Sequence, residues 1–297
     1  QLKKRAIALI ISLVLLGTLG LSAFAANEGD ARVTIGADLN ADEIAAVYKI
    51  FGVDRGQVEE LIVTNADERA YLEGLVSDAA IGTRAISCTY LEVLGPGNNI
   101  TVKTENISYC TASMYISALA TAGITDAKVI VAAPFEVSGT AALTGIYKAY
   151  EVITGEKLDE TAKEVSSQEL AVTADLAQDI GDADSVEIVN QLKLILDETV
   201  KMSDDELRQQ IIDIAANYDV TLTEAQISQL MKLVRSLEKL DTSALLEKVR
   251  AVQDSLKKFL SLSEKASGFT EAVRQFFQQV GETATNVWNY IVSIFKK

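Results

Sequence analysis

The sequence predicts an α+β fold, in which a mixed α/β domain is followed by an all-helical bundle. Of the 17 glycines, 14 precede Glu156, and both prolines, Pro96 and Pro134, lie in that first part as well. Because glycine and proline interrupt helices and form turns, a half rich in them indicates mixed α/β structure, and a half nearly free of them indicates helices. We therefore predict a mixed α/β domain over residues 26–155 and a helical domain over residues 156–297.

Capping motifs and apolar runs place the elements of the first half. Asn40 and Glu43 have the spacing of a capping box, as have Asn65 and Glu68, and each pair predicts the start of a helix. Two β-rich runs flank the turn Gly95–Asn99, which predicts a hairpin. The predicted elements are a helix through residue 50, a strand over 58–64, a helix over 65–74, strands over 84–94 and 100–109, a helix over 111–122, a strand over 127–133 and a helix over 139–153. From residue 58 onward this order is that of the ferredoxin-like, or split β-α-β, arrangement.

The second half contains amphipathic helices that begin at recognisable caps. Ser203 with Glu206, and Thr223 with Gln226, have the spacing of capping boxes. Apolar side chains then recur at helical spacing and predict one buried face for each helix. The three faces contain Ile211, Ile212, Ile214 and Ala215, then Ile227, Leu230, Met231, Val234 and Leu237, and then Leu245, Val249, Val252, Leu256 and Phe259. We expect these helices to pack antiparallel in a bundle.

The N-terminus has the three-part pattern of a secretory signal peptide over residues 1–25. Lys3, Lys4 and Arg5 precede an apolar run over residues 6–21, and Ala23-Phe24-Ala25 provides a cleavage site of the A-x-A type. The alternative is a transmembrane anchor, but the run is shorter than the roughly 20 residues that span a bilayer. We therefore expect an exported protein, either extracellular or associated with the cell envelope.

Composition excludes several classes of function. The sequence contains no histidine, so no Ser-His-Asp or Cys-His catalytic site can form, nor any metal site that needs imidazole. The net charge of −15 disfavours a nucleic-acid partner, because a phosphate backbone requires a basic surface. We expect no cofactor and no bound metal. The acidic side chains Asp179, Asp182, Asp184 and Glu187 surround Gly181, but helix capping explains them as well as a calcium site does.

The two cysteines, Cys88 and Cys110, could pair outside the cytoplasm. In a simple hairpin register Cys88 faces Asn106, which leaves Cys110 roughly 13 Å away along the strand. A disulfide needs Cα atoms within about 7 Å of each other. The bond would therefore need a bulge or a chain reversal after Tyr109, and both states stay open.

The connection between strand 127–133 and the helix that follows is the best candidate for a ligand site. The backbone N–H groups near Gly139 and Thr140 would lie at a helix N-terminus, where anions bind, and Ser138 and Thr144 add hydroxyl groups. The spacing is that of neither a P-loop nor a nucleophile elbow. The alternative is a tight structural connection in which Ser138 caps the helix.

The C-terminal segment, residues 269–297, predicts an amphipathic helix with an aromatic face. Phe276, Phe277, Trp288 and Phe295 lie on that face, and Lys296 and Lys297 end the chain. Such a helix could lie in a membrane interface or contact a protein partner. It could equally pack into the bundle.

A long string, TAGITDAKVIVAAPFEVSGTAALTGIYKAYE over residues 121–151, carries a family resemblance. Together with VTIGADLN and VTNADERAYLEGL, it resembles the secreted Gram-positive bacterial family catalogued as domain of unknown function 1002. The resemblance covers roughly residues 32–241 and implies export and a shared fold. It implies no activity and no catalytic residues.

These observations predict a non-catalytic binding or structural protein of the cell envelope or extracellular space. One alternative is a cell-wall-directed hydrolase that uses Ser or Thr, Lys or carboxylates. Another is a peripheral membrane protein attached through residues 269–297. An enzyme should have a cleft that holds a buried carboxylate or lysine with a perturbed pKa, and this observation separates it from a simple binding module.

Overall fold

A computed structural model describes residues 29–75 and 77–267, and the predicted α+β class is confirmed. The strands in this part are β1 (Ala31–Gly36), β2 (Glu59–Val63), β3 (Cys88–Val93), β4 (Thr101–Ile107) and β5 (Ala127–Val137). The first helices are α1 (Ala41–Phe51), α2 (Asn65–Leu72), α3 (Asp78–Ile81), α4 (Ala112–Ala122) and α5 (Thr140–Thr154). The later helices are α6 (Glu160–Ile180), α7 (Asp182–Leu194), α8 (Leu196–Thr199), α9 (Asp204–Ala216), α10 (Glu224–Leu237) and α11 (Thr242–Ser267).

The five strands form one mixed sheet in the order β2-β1-β3-β5-β4. β2 is parallel to β1 and β4 is parallel to β5, whereas β3 is antiparallel to both of its neighbours. The predicted hairpin between residues 84–94 and 100–109 is therefore wrong, since β5 lies between β3 and β4. The ferredoxin-like arrangement, which needs that hairpin, is wrong for the same reason.

Burial explains why β5 and not β4 lies beside β3. Side chains on both faces of β3 are buried, and β5 from Ala127 to Ala133 is a nearly continuous apolar run that suits the interior of a sheet. In β4 only Val102 is buried, the other residues are exposed or partly exposed, and the strand carries Lys103 and Glu105. A half-exposed, charged strand fits the edge of a sheet, where it also discourages pairing with other chains.

Local capping signals agree closely with the observed helices. The Asn40, Ser203 and Thr223 side chains all form complete capping boxes at the starts of α1, α9 and α10. α4 ends at Gly123, which has the left-handed conformation (φ 100°) expected of a residue that follows a helix. β1 has no counterpart among the predicted elements.

The predicted apolar faces of the later helices form a buried core. Ile211, Leu230, Val234 and Val249 are each 0% exposed and belong to the same apolar cluster. Residues 29–256 belong to one unit, and residues 257–267 at the end of α11 belong to a second. The domain boundary near residue 155 stays a prediction.

Helix α4 is buried along its whole length and contacts β4, α6 and α7. Polar groups on these helices satisfy one another: the Lys193 ammonium donates to Glu169 Oε1 at 2.7 Å and to Ser117 Oγ at 2.8 Å. Thr121 Oγ1 donates to the other oxygen of Glu169 at 2.5 Å. The buried network therefore fixes α4 against α6 and α7.

Two predicted segments, the signal peptide over residues 1–25 and the amphipathic helix over residues 269–297, lie outside the described residues. None of the helices in the described ranges has the length and apolar character that crossing a membrane requires.

Candidate functional site

The loop that joins β5 to α5 lines a cavity of about 270 Å³. Three chain segments form its wall: α2, the stretch from α3 towards β3, and the β5–α5 loop itself. The lining residues are Glu68, Ala79, Ile81, Gly82, Thr83, Arg84, Ile86, Ser87, Val137, Ser138, Gly139, Thr140 and Ala141. Predicted site residues 138–140 are therefore brought together with groups that are distant in sequence.

Glycine is required at position 139 for two independent reasons. Gly139 has a φ of +92°, in the left-handed region that side chains disfavour. A Cβ atom there would lie 2.5 Å from Ile107 Cγ2 and 2.8 Å from the Tyr115 hydroxyl oxygen. That hydroxyl donates a hydrogen bond of 2.5 Å to the Gly139 carbonyl oxygen. The loop is thus held firmly against β4 and α4.

Gly139, and not Ser138, is the N-cap of α5. No side chain caps this helix, so the predicted capping role of Ser138 is wrong. The Ser138 hydroxyl instead lies 3.1 Å from Thr140 Oγ1 and beside the cavity. The positive φ of Gly139 places the chain so that the Ser138 side chain does not reach the helix N–H groups.

Glu68 contributes a buried carboxyl group to the cavity wall. Glu68 is only 1% exposed, although it is one of the residues that line the cavity. Thr140 Oγ1 donates to Glu68 Oε1 at 2.5 Å, and Asn65 Nδ2 donates to Oε2 at 3.3 Å. Burial raises the pKa of Glu68 above its usual value, although these hydrogen bonds and the charge of Arg69 oppose the shift.

The sequence pattern misassigned Glu68. Asn65 and Glu68 have the spacing of a capping box, but α2 is capped one residue earlier, by Thr64 with Asp67. Asp67 Oδ2 accepts from the Thr64 N–H at 2.8 Å. Glu68 therefore has no part in the capping box, and it lines the cavity instead.

Of the titratable neighbours of Glu68, Arg69 bonds to other groups, and Cys110 and Tyr115 are uncharged. The Arg69 guanidinium donates to Asp78 Oδ1 at 2.9 Å and to the Gly82 carbonyl oxygen at 2.9 Å, and so holds the α3 segment. Burial raises the pKa of Cys110 to about 12. Burial likewise raises the pKa of Tyr115 well above its usual value. Both groups are therefore uncharged at physiological pH.

The remaining predicted residues lie elsewhere. Thr144 is 2% exposed, lies further along α5 and does not line the cavity. Cys88 and Cys110 are both free and buried, so no disulfide joins them in this structure. The aromatic residues Phe276, Phe277, Trp288 and Phe295 lie outside the described ranges.

Two of the four acidic residues around Gly181 accept hydrogen bonds from distant parts of the chain. Asp182 accepts hydrogen bonds from Thr111 Oγ1 at 2.6 Å and from Ser113 Oγ at 3.0 Å. Asp179 Oδ2 accepts from Gln226 Nε2 at 2.7 Å. Across the described part of the chain, no three His, Cys, Asp or Glu side chains lie together as a metal site would require.

Two other cavities lack a buried charged group. One of about 510 Å³ lies between α1 and residues 52–57, and its charged residues Lys49, Asp54 and Arg55 are all exposed. Another of about 300 Å³ is lined by Lys239 and Lys248, which are also exposed. The Glu68 cavity differs because its carboxyl group has been removed from water.

Comparison with known proteins gives one family and one relative. The family model described as "Protein of unknown function (DUF1002)" matches residues 35–259. The "Uncharacterized protein YpuA" of Bacillus subtilis (strain 168) is 38% identical over 271 residues, which cover 90% of this chain and 90% of that protein. No solved structure matches the chain.

Proposed function

The chain belongs to the family described as Protein of unknown function (DUF1002), and we propose that it is an exported protein that binds a small polar ligand in the Glu68 cavity. In this proposal the protein acts at the cell envelope or in the extracellular space, and it binds its ligand without catalysing a reaction. The leader-like pattern over residues 1–25 supports export.

The observation that carries the binding proposal is the buried carboxyl group of Glu68 in a cavity wall. Removing a carboxyl group from water costs free energy unless it is paired, so a site that retains one usually has a use for it. The lining residues also include Ser138, Thr83, Ser87 and Arg84 beside the apolar residues Ile81 and Ile86. A few polar groups on an apolar background are typical of small-molecule sites.

A cleft with a buried carboxyl group of raised pKa is the feature expected of an enzyme, but hydrolysis needs further groups, and on these binding explains the cavity better. Two-carboxylate glycoside hydrolysis needs a second acid about 5–9.5 Å from the first, and Glu68 is the single carboxylate among the lining residues. A serine nucleophile needs a base within hydrogen-bond distance; the sequence has no histidine, and no Lys or carboxylate of the described residues is hydrogen-bonded to Ser138. The Ser138 hydroxyl instead shares a hydrogen bond with Thr140, which is not a base.

A cell-wall-directed hydrolase is the second candidate, and one observation favours it. A buried carboxyl group with a raised pKa is what a general acid requires near neutral pH. In that case the protein would cleave envelope glycans or peptides, and Glu68→Gln would abolish cleavage. Product formation by the wild-type chain and not by this variant, measured by mass spectrometry, would replace the binding proposal with the catalytic one.

The compartment is tested by fractionating the producing cell. We expect the chain in the envelope or medium fraction with Ala26 as its first residue, as read by N-terminal peptide mass spectrometry. Recovery from the cytoplasm with residues 1–25 intact would overturn the export proposal. Sedimentation with lipid vesicles would support attachment through residues 269–297 if deletion of that segment abolished it.

The cavity is tested by blocking it. Ala79 is exposed and lines the cavity, so Ala79→Phe should fill the space without disturbing a buried core. Ala216→Phe, at an exposed position outside the cavity, is the matched control. A panel of cationic, neutral and anionic small polar compounds is screened by thermal shift. A compound that stabilises wild type and the control but not Ala79→Phe supports the proposal, whereas a panel without such a compound contradicts it.

A further inference from the structure

We propose that the ligand of the Glu68 cavity carries a primary ammonium group that pairs with the Glu68 carboxylate, together with hydroxyl groups that bind the serine and threonine side chains of the wall. This inference names the ligand class for the proposed function and rests on it. It follows from the charges, the hydrogen bonds and the size of the cavity.

The first argument is the absence of a counter-ion. Glu68 forms no ion pair within residues 29–75 and 77–267; its hydrogen-bond donors are the neutral groups of Thr140 and Asn65. The nearby Arg69 guanidinium contacts Asp78 and the Gly82 carbonyl instead. A buried carboxylate without a cation is unstable in its charged form. Arg84 also lines the cavity, but its guanidinium donates to the Asp38 carbonyl oxygen at 2.8 Å. A cationic ligand would pair directly with Glu68, which neither arginine does in the described part of the chain.

The second argument excludes the other groups that face Glu68. Thr140 on α5 and Asn65 on α2 cannot ionise, and Cys110 and Tyr115 on the α4 side have raised pKa values that keep them neutral. None of them can balance a charge on Glu68. Among these groups Glu68 alone can carry a negative charge, and the nearby cations Arg69 and Arg84 bond to other partners.

The third argument is hydrogen-bond capacity. An ionised carboxylate offers about four acceptor positions, and Thr140 and Asn65 use one on each oxygen. A primary ammonium group has three donors and can occupy the remaining positions, whereas a guanidinium needs a wider planar approach. The hydroxyl groups of Thr83, Ser87 and Ser138 along the wall suit hydroxyl groups on the ligand. A cavity of about 270 Å³ has room for a single small unit of about the size of an amino sugar.

Ammonium binding is coupled to a proton. Because its pKa is raised, Glu68 in the empty cavity keeps its proton to a higher pH than a free glutamate does, and a bound cation favours the ionised form. Glu68 therefore releases a proton into solvent as the ammonium group binds. The released fraction falls as the pH rises through the raised pKa of the empty site.

Glucosamine and glucose are the probes that test the charge requirement, because they share a skeleton and differ in one ammonium group. Isothermal titration of the full-length protein is performed at pH 5 in two buffers of different ionisation enthalpy. We expect glucosamine to bind with proton release and glucose to bind at least about tenfold more weakly. Glu68→Gln should lose this preference and the proton release.

Glu198→Gln is the matched control, because Glu198 on α8 carries the same charge, is exposed and does not line the cavity. It should leave glucosamine affinity unchanged. Thr140→Val removes a hydrogen-bond donor to Glu68 but keeps the carboxyl group, so it should retain the preference for glucosamine. That result would show that the loss in Glu68→Gln comes from the missing charge. Circular dichroism establishes that each variant is folded.

Two results would overturn the ammonium inference. One is equal binding of glucose and glucosamine, or glucosamine binding that survives Glu68→Gln. The other is failure of glucosamine, ethanolamine and cadaverine alike to bind. In either case a neutral or anionic compound that Ala79→Phe blocks would leave the proposed binding function intact, so the two failures are distinguishable.

Discussion

Lys193 on α7 and Glu169 on α6 form an ion pair of 2.7 Å in which both side chains are 1% exposed. The ammonium group also donates to the Ser117 carbonyl oxygen at 3.0 Å and so reaches α4. Because α4 also contacts β4, the pair belongs to the contacts that connect the sheet to the helices of the second half. Burial lowers the pKa of Lys193, while Glu169 opposes that shift.

Breaking this pair should be strongly destabilising. Glu169→Gln leaves a buried lysine without its counter-ion, and we expect a loss of about 3–5 kcal/mol in the free energy of unfolding. The double variant Glu169→Leu with Lys193→Met should recover most of the loss, because it buries no charge. Denaturant unfolding measures the free energy of unfolding of wild type, Glu169→Gln and the double variant. A value for Glu169→Gln within about 1 kcal/mol of wild type would contradict this account.

Two costs of replacing Gly139 can be measured separately: the backbone strain of a positive φ and the steric clash of an added Cβ atom. Gly56→Ala is the control, since Gly56 has a φ of +94° and nothing within 4 Å of the added Cβ. We expect it to cost roughly 1–2 kcal/mol from backbone strain alone. Gly139→Ala adds collisions with Ile107 and Tyr115, which should cost a further 1–3 kcal/mol or so. Equal losses in thermal or denaturant unfolding would show that the loop is looser than its contacts indicate.

Glu68 should make the folded state relatively less stable as the pH rises. Its folded pKa is raised above the usual 4.5, so the folded state binds the proton more tightly. This stabilisation is complete below pH 4.5 and is lost as the pH rises through the folded pKa. Glu68→Gln mimics the protonated form, so its stability relative to wild type should increase between pH 4 and pH 7. A constant difference across that range would contradict the assignment.

Glu151 should have the opposite pH dependence. Although burial opposes the shift, hydrogen bonds from Lys157 and Lys163 hold the pKa of Glu151 below its usual value of 4.5. Its contribution is present above pH 4.5 and is lost as the pH falls through the lowered pKa. Glu151→Gln should therefore destabilise the protein at pH 7 and by less at pH 3. A loss that is the same at both pH values would contradict this prediction.

Features encoded within a few residues were predictable from the sequence. The capping boxes at Asn40, Ser203 and Thr223 and the terminal glycine of α4 are local, and the structure has each of them. The apolar faces of α9 to α11 follow from helical spacing alone. The position of β5 between β3 and β4 depends on competition among distant strands, which no local pattern contains.

The candidate site was only half predictable. The β5–α5 loop could be identified from Ser138, Gly139 and Thr140, because small residues at a strand-to-helix connection have a local signature. Glu68 could not, since Asn65 and Glu68 imitate a capping box and the true cap at Thr64 is shifted by one residue. Its contact with Thr140 joins positions 72 residues apart and depends on tertiary packing.

The most direct test of the Glu68 cavity is carboxyl ¹³C NMR of Glu68, assigned by comparison with Glu68→Gln. In the ligand-free protein the resonance should titrate with a pKa above 4.5. At pH 5, saturating glucosamine should move it towards the ionised position, whereas glucose should leave it unchanged. A resonance that titrates at or below its usual pKa, or that does not respond to glucosamine, would contradict the central claim that this buried carboxyl group binds a cationic ligand.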